Sequence, residues 1–144
     1  MKQPLSRAGQ CLRWGFACLL AASALGKLAD MPGFIAVVAT YRLLPGALLP
    51  AAAWALALSE AALAVWLASG RYRTRAALGV TLLHCLYFAW IAIALARGLQ
   101  LTNCGCFGVY WPRPLTLLTL MEDSVLLIAA YALFRAAWRT KRSV

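Results

Sequence analysis

Apolar residues run almost unbroken through four stretches of the chain, and polar residues gather in the short gaps between them. The stretches lie near 12–30, 47–69, 76–96 and 115–136. Each approaches or exceeds the roughly 20 mostly apolar residues that a helix needs to cross a bilayer. A fifth apolar stretch, Phe34 to Tyr41, is too short to cross. It is expected to lie at the membrane interface, within a short outer segment at about 33–44. Pro32 and Gly33 are expected to stop the first helix, because proline removes a backbone donor and glycine accepts turn angles. In the second span Ala53, Ala57, Ala61, Ala64 and Ala68 recur at three- and four-residue steps. They form a face of small side chains along which helices approach closely in lipid. Glu60 sits beside that face, which turns it toward the bundle. The turn Gly70–Arg75 is short, so the second and third spans should be antiparallel neighbours. The pattern predicts an all-α integral membrane four-helix bundle, a single membrane domain covering 1–144, with an outer loop at 97–114.

Composition agrees. The chain is 64% hydrophobic with only four acidic residues in 144, more apolar surface than a soluble domain of this size can hide. A net charge of +10 could suggest nucleic acid. The cations, however, sit in short clusters between apolar runs, which reads as membrane topology and not as a nucleic-acid surface. Lys2, Arg7 and Arg13 precede the first span, Arg71, Arg73 and Arg75 fill the second gap, and Arg135, Arg139, Lys141 and Arg142 follow the last. Only Lys27, Arg42, Arg97 and Arg113 lie toward the other side. The positive-inside rule then puts both termini in the cytoplasm of a cell inner membrane and the segments 31–46 and 97–114 on the periplasmic, outer side. The basic start, the apolar run from Trp14 and the triplet Ala22-Ser23-Ala24 also resemble a signal peptide with its cleavage site. The run continues through Leu25 and Leu28 to Asp30, which favours a retained helix.

The outer loop carries Asn103-Cys104-Gly105-Cys106-Phe107-Gly108. Two cysteines one residue apart can exchange with a partner's thiols, close a structural disulfide, or offer thiolates to a soft metal. The last needs further soft ligands that the loop does not offer, so no metal site is expected. Gly105 reaches the unusual backbone angles that a ring over one residue demands. Such a ring is strained and exposed, the kind that reacts, and the outer side is where disulfides persist.

These residues resemble those of the methylamine utilisation protein MauE family and the wider DoxX-like membrane family. The likeness rests on Ser23-Ala24-Leu25-Gly26-Lys27-Leu28, Tyr41-Arg42-Leu43-Leu44-Pro45, Glu60 within the second span and, most specifically, Cys104-Gly105-Cys106-Phe107-Gly108. It covers nearly the whole chain in order. Glu122-Asp123 stands where the family pattern leads one to expect a basic residue beside Asp or Asn. The resemblance implies a four-helix membrane bundle serving thiol–disulfide chemistry outside the cytoplasm. It also implies a partner that is thioredoxin-like or rich in disulfides, as in maturation of methylamine dehydrogenase.

Ionisable residues within a membrane are costly and each is a functional hypothesis. Glu60 and His84 are expected at similar depth on joined helices, within reach of a hydrogen bond that could handle a proton, hold a polar head group such as a quinone, or simply clasp two helices. Asp123 shares a helix face with Thr116 and Thr119 and should point inward. Lys27, near the outer end of the first span, is the expected counter-ion for Glu122 or Asp123, a pair able to tune a thiol or merely to neutralise itself. Cys11, Cys18 and Cys85 are either buried filler or a second, buried redox pair, as in quinone-linked disulfide oxidases. The six tryptophans read mostly as interface anchors, with Tyr110 and Trp111 resting the dithiol loop on the membrane. Competing readings are a thiol–disulfide redox component using Cys104 and Cys106, a non-catalytic subunit or chaperone with a Cys104–Cys106 clip, and a quinone-linked oxidase.

Overall fold

The structure is a computed structural model and describes residues 5–142, leaving Lys2 outside the described residues together with the side chains of Lys141 and Arg142. Its long helices are α1 (Arg7–Ala29), α3 (Leu49–Ser69), α4 (Arg73–Ala96) and α5 (Leu117–Arg142), with a short α2 (Met31–Thr40) between the first two. No strand occurs among the described residues. Among the described residues four helices are long and apolar enough to cross a membrane, and the chain is a multi-pass membrane protein. Leu25, Val65, Leu82, Val125 and Ile128 all turn outward and are at least 60% exposed, the reverse of an amphipathic helix in water. A helix apolar on every side belongs in a solvent that is itself apolar.

Helix ends show how the chain is punctuated. Ser6 caps α1 by accepting from the Gly9 amide, so α1 begins a full turn before the expected span. Asp30 alone separates α1 from α2, and its carboxylate accepts from the Gly33 amide. Pro32 opens α2, where a missing N–H is harmless, and, two residues past the Asp30 cap, it also stands where α1 has stopped, as expected.

α1 packs along α3, and α4 along α5, whereas α3 meets α4 only lightly despite their short connection. Of the alanine stripe, Ala53, Ala57 and Ala64 are buried against neighbours, Ala61 is half-buried and Ala68 faces outward. Arg13 donates to the Leu67 carbonyl (3.0 Å) and Thr74 to that of Ala137 (3.2 Å), closing one end of the bundle. At the other end Arg97 donates to the carbonyls of Tyr41 (2.9 Å) and Arg42 (3.3 Å), tying α2 to α4. That second end carries the dithiol loop.

Candidate functional site

The loop between α4 and α5 is folded back on itself. The Cys104 amide donates to the Arg113 carbonyl (2.7 Å) and the Leu115 amide to that of Leu101 (2.9 Å). Asn103 braces the turn between: its Oδ1 accepts from the Gly105 amide (2.9 Å) and its Nδ2 donates to the Gly108 carbonyl (3.1 Å). An Asn two residues before a Gly is a turn signal; it marks Asn103 as the residue that shapes the turn.

The loop does not project from the bundle as a free hairpin would. It is set into the end of it. Gly105 (φ +75°) lies against Phe34 and Val37 of α2. Gly26 of α1 and Gly108 of the loop meet backbone to backbone. A Cβ on Gly26 would strike the Phe107 carbonyl, and one on Gly108 (φ +72°) would strike the Gly26 carbonyl. The Gly26 and Gly108 motifs, far apart in sequence, are two halves of one contact. Cys104 is buried and Cys106 half-buried, while Tyr110 and Trp111 are exposed.

Lys27 reaches into this contact from α1. Its Nζ donates to Glu60 Oε1 (2.8 Å) and Oε2 (2.7 Å), and to the Cys106 carbonyl (2.9 Å). Ser23, one turn earlier on the same face, lies 2.6 Å from that carbonyl and about 3 Å from both Glu60 oxygens. Tyr87 of α4 donates to Glu60 Oε1, and Tyr41 donates to the Cys104 carbonyl (2.7 Å). The loop backbone is thus held by Lys27, Ser23 and Tyr41. Burial, with the two thiols adding to it, pushes Tyr41 well above its ordinary ionisation range, so it remains a donor.

Several expected pairings are corrected. Lys27 does not pair with Glu122 or Asp123, because α1 packs on α3 and presents Lys27 to Glu60. Glu122 pairs instead with Arg113 (2.7 Å) at a half-exposed position, where solvent screening limits the pair to about 0–1 kcal/mol. Asp123 is buried, as its helix face implies, but its Oδ2 has no hydrogen-bond partner among the described residues. Glu60 and His84 do not hydrogen-bond: both Glu60 oxygens are taken, and His84 Nδ1 faces the Val80 carbonyl on its own helix (2.9 Å). Cys11, Cys18 and Cys85 are all exposed on the outside of the bundle and form no buried pair. Trp90 is not an interface anchor. It packs on Tyr41, ring centroids 5.9 Å apart, and lines an internal cavity. Ser23, Tyr41, Tyr87 and Asn103 take part in roles that their sequence positions do not announce; the four-residue step from Ser23 to Lys27, which puts both on one helix face, is a signal for the first.

The cavity has a volume of about 320 Å³ and adjoins both cysteines, with Lys27, Glu60, His84, Tyr87 and Asp123 also in its wall.

The two sulfurs lie 2.8 Å apart as free thiols. The pair loses its protons in two steps. The first thiolate is stabilised by the thiol beside it and, less strongly, by Arg113, which brings Cys104 down to about 6. The same hydrogen bond, with burial, holds Cys106 well above the ordinary thiol range. Iodoacetamide labelling of the reduced pair should therefore rise as pH passes through about 6 and level off above it, since the thiolate is the nucleophile. Mass spectrometry of quenched time points measures this. A midpoint at the ordinary thiol value, about 8.5, would mean the sulfurs do not share a proton.

Three comparisons set the chain among known proteins. The family model described as methylamine utilisation protein MauE matches residues 5–136. A methylamine utilization protein MauE of Paracoccus denitrificans is 34% identical over 122 residues, covering 85% of this chain and 66% of that protein. A protein of the same description from Methylophilus methylotrophus is 38% identical over 90 residues, covering 62% of this chain and 47% of that protein. The chain thus spans about two thirds of one relative's length and about half of the other's. No solved structure matches it.

Proposed function

This chain belongs to the MauE family, and from that premise we propose that it is a thiol–disulfide exchange component of methylamine utilisation, acting on the non-cytoplasmic face of the inner membrane. Its partner is a thioredoxin-like or disulfide-rich protein whose maturation needs thiols oxidised. The observation that carries this reading is the pair of sulfurs 2.8 Å apart, one acidified and one half-exposed, on a backbone fixed by Lys27, Ser23 and Tyr41. In the oxidised state a partner thiolate attacks Cys106, the more accessible sulfur. The S–S bond breaks and Cys104 leaves as the thiolate, a departure that its low pKa favours. A second partner thiol, giving up its proton, then attacks the partner sulfur of the mixed disulfide. Cys106 is released, and the partner disulfide and the Cys104–Cys106 dithiol are the products.

The roles predict an asymmetric trap. The exchange is reversible: the Cys106 thiolate can attack the partner's disulfide, breaking that S–S bond and releasing one partner thiolate, and Cys104 then displaces the partner. Cys104→Ser lacks that displacing sulfur and should accumulate the mixed disulfide through Cys106 in cells, Cys106→Ser much less, and the double serine variant none, read on non-reducing gels with mass spectrometric identification. Normal maturation of the partner in the double variant would overturn the proposal. Burial of Cys104 favours a second reading, a non-catalytic subunit in which the pair is a loop clip. A pair that stays oxidised in strongly reducing thiol buffers would select that reading.

A further inference from the structure

We infer that the cavity beneath the dithiol is a binding site for a lipid-soluble quinone, which reoxidises Cys104 and Cys106. The inference rests on the exchange reading above and supplies its missing oxidant.

The cavity's volume, about 320 Å³, falls at the lower end of the roughly 300–1,000 Å³ of small-molecule sites. Its wall is mostly aliphatic and aromatic, with a few polar groups gathered at one region. Both cysteines line it, so an occupant seated at the loop end of the cavity reaches the redox pair. Asp123 lines it too, more than nine-tenths buried, with Oδ2 lacking any hydrogen-bond partner. A buried oxygen of this kind calls for a partner that the described residues do not provide. The mouth is marked by wall residues that are also exposed, Ala55 of α3 and Leu86 of α4, where those two helices meet only lightly. That flank is covered by lipid, so the occupant comes from the bilayer and must be apolar over most of its length, with a polar end for Asp123.

A quinone meets each requirement. Its ring suits the aromatic wall of Trp90 and Tyr87, its tail leaves between α3 and α4, and its reduced form carries hydroxyls that donate to Asp123. The reaction balances: two S–H bonds break and one S–S bond forms, while two electrons and two protons pass to the quinone and make two O–H bonds of the quinol.

The test uses the full chain, purified in nanodiscs and reduced, with decylubiquinone as the probe. Wild type should form one quinol per dithiol oxidised. Ala52→Trp and Ala55→Trp, which fill the cavity and its mouth, should slow quinol formation by roughly tenfold or more, about 1.4 kcal/mol per factor of ten. Their exchange with glutathione disulfide should stay at the wild-type rate, which also shows that the filled proteins fold. Quinol formation at the wild-type rate in both filled variants would overturn the cavity site, as would a co-purified acyl lipid that decylubiquinone cannot displace. Loss of glutathione exchange in wild type would instead overturn the exchange reading itself.

Discussion

Replacing Lys27 with methionine should destabilise the protein by about 3–5 kcal/mol, the range for stripping one partner from a buried ion pair. Lys27 and Glu60 are each at most 3% exposed along their side chains, and no solvent reaches Glu60 to compensate the lost cation. The double variant Lys27→Met, Glu60→Gln should recover most of the loss, because it removes both charges together. It should not recover the site, since the Cys106 carbonyl still lacks the Lys27 donor. Thermal unfolding in detergent reads the first effect, and the alkylation rate of Cys106, expected to rise as the loop loosens, reads the second. A single variant losing less than about 1 kcal/mol, the level of an exposed pair, would show that the ion pair is hydrated.

Gly108→Ala should be the most damaging small substitution in the loop. Its φ of +72° resists any side chain, and the added carbon meets the Gly26 carbonyl, an atom of helix backbone that no rotamer change can move. Strain at such a backbone angle is of order 1–3 kcal/mol, and forced overpacking adds roughly as much. The loop has a cheaper escape, which is to lift off α1. Gly108→Ala is therefore expected to raise hydrogen exchange across 104–108 and to return the dithiol toward an ordinary pKa, with the helices intact. Gly26→Ala should do the same from the opposite side, where its new carbon meets the Phe107 carbonyl. Unchanged exchange and unchanged thiol acidity in both variants would mean the two backbones are not in contact.

The helices were legible in the sequence because spanning segments announce themselves by length and apolarity, and the dithiol because cysteines flanking a glycine have few uses. Gly105 adopts the positive φ that its position implied. The pairing of charges was not legible, for a geometric reason. Depth reckoned from helix ends placed Lys27 beside Asp123. In the structure α1 stops at Asp30, the loop descends to meet it, and Lys27 extends to Glu60 within α3. Which helix packs on which decided the partner, and a short turn between α3 and α4 suggested a neighbour relation that the packing largely declines. Cysteine is often buried, which suggests burial for those of α1 and α4; in lipid, an outward cysteine is as comfortable as a leucine.

The division of the bundle into an α1–α3 pair and an α4–α5 pair leaves the dithiol loop belonging to one pair and Lys27, with Ser23 and Glu60, to the other. The Cys106 carbonyl is consequently a stitch across the seam between two halves. A pull on that loop segment is delivered through Lys27 to α1 and α3, and spreading the halves must tug on the sulfur pair.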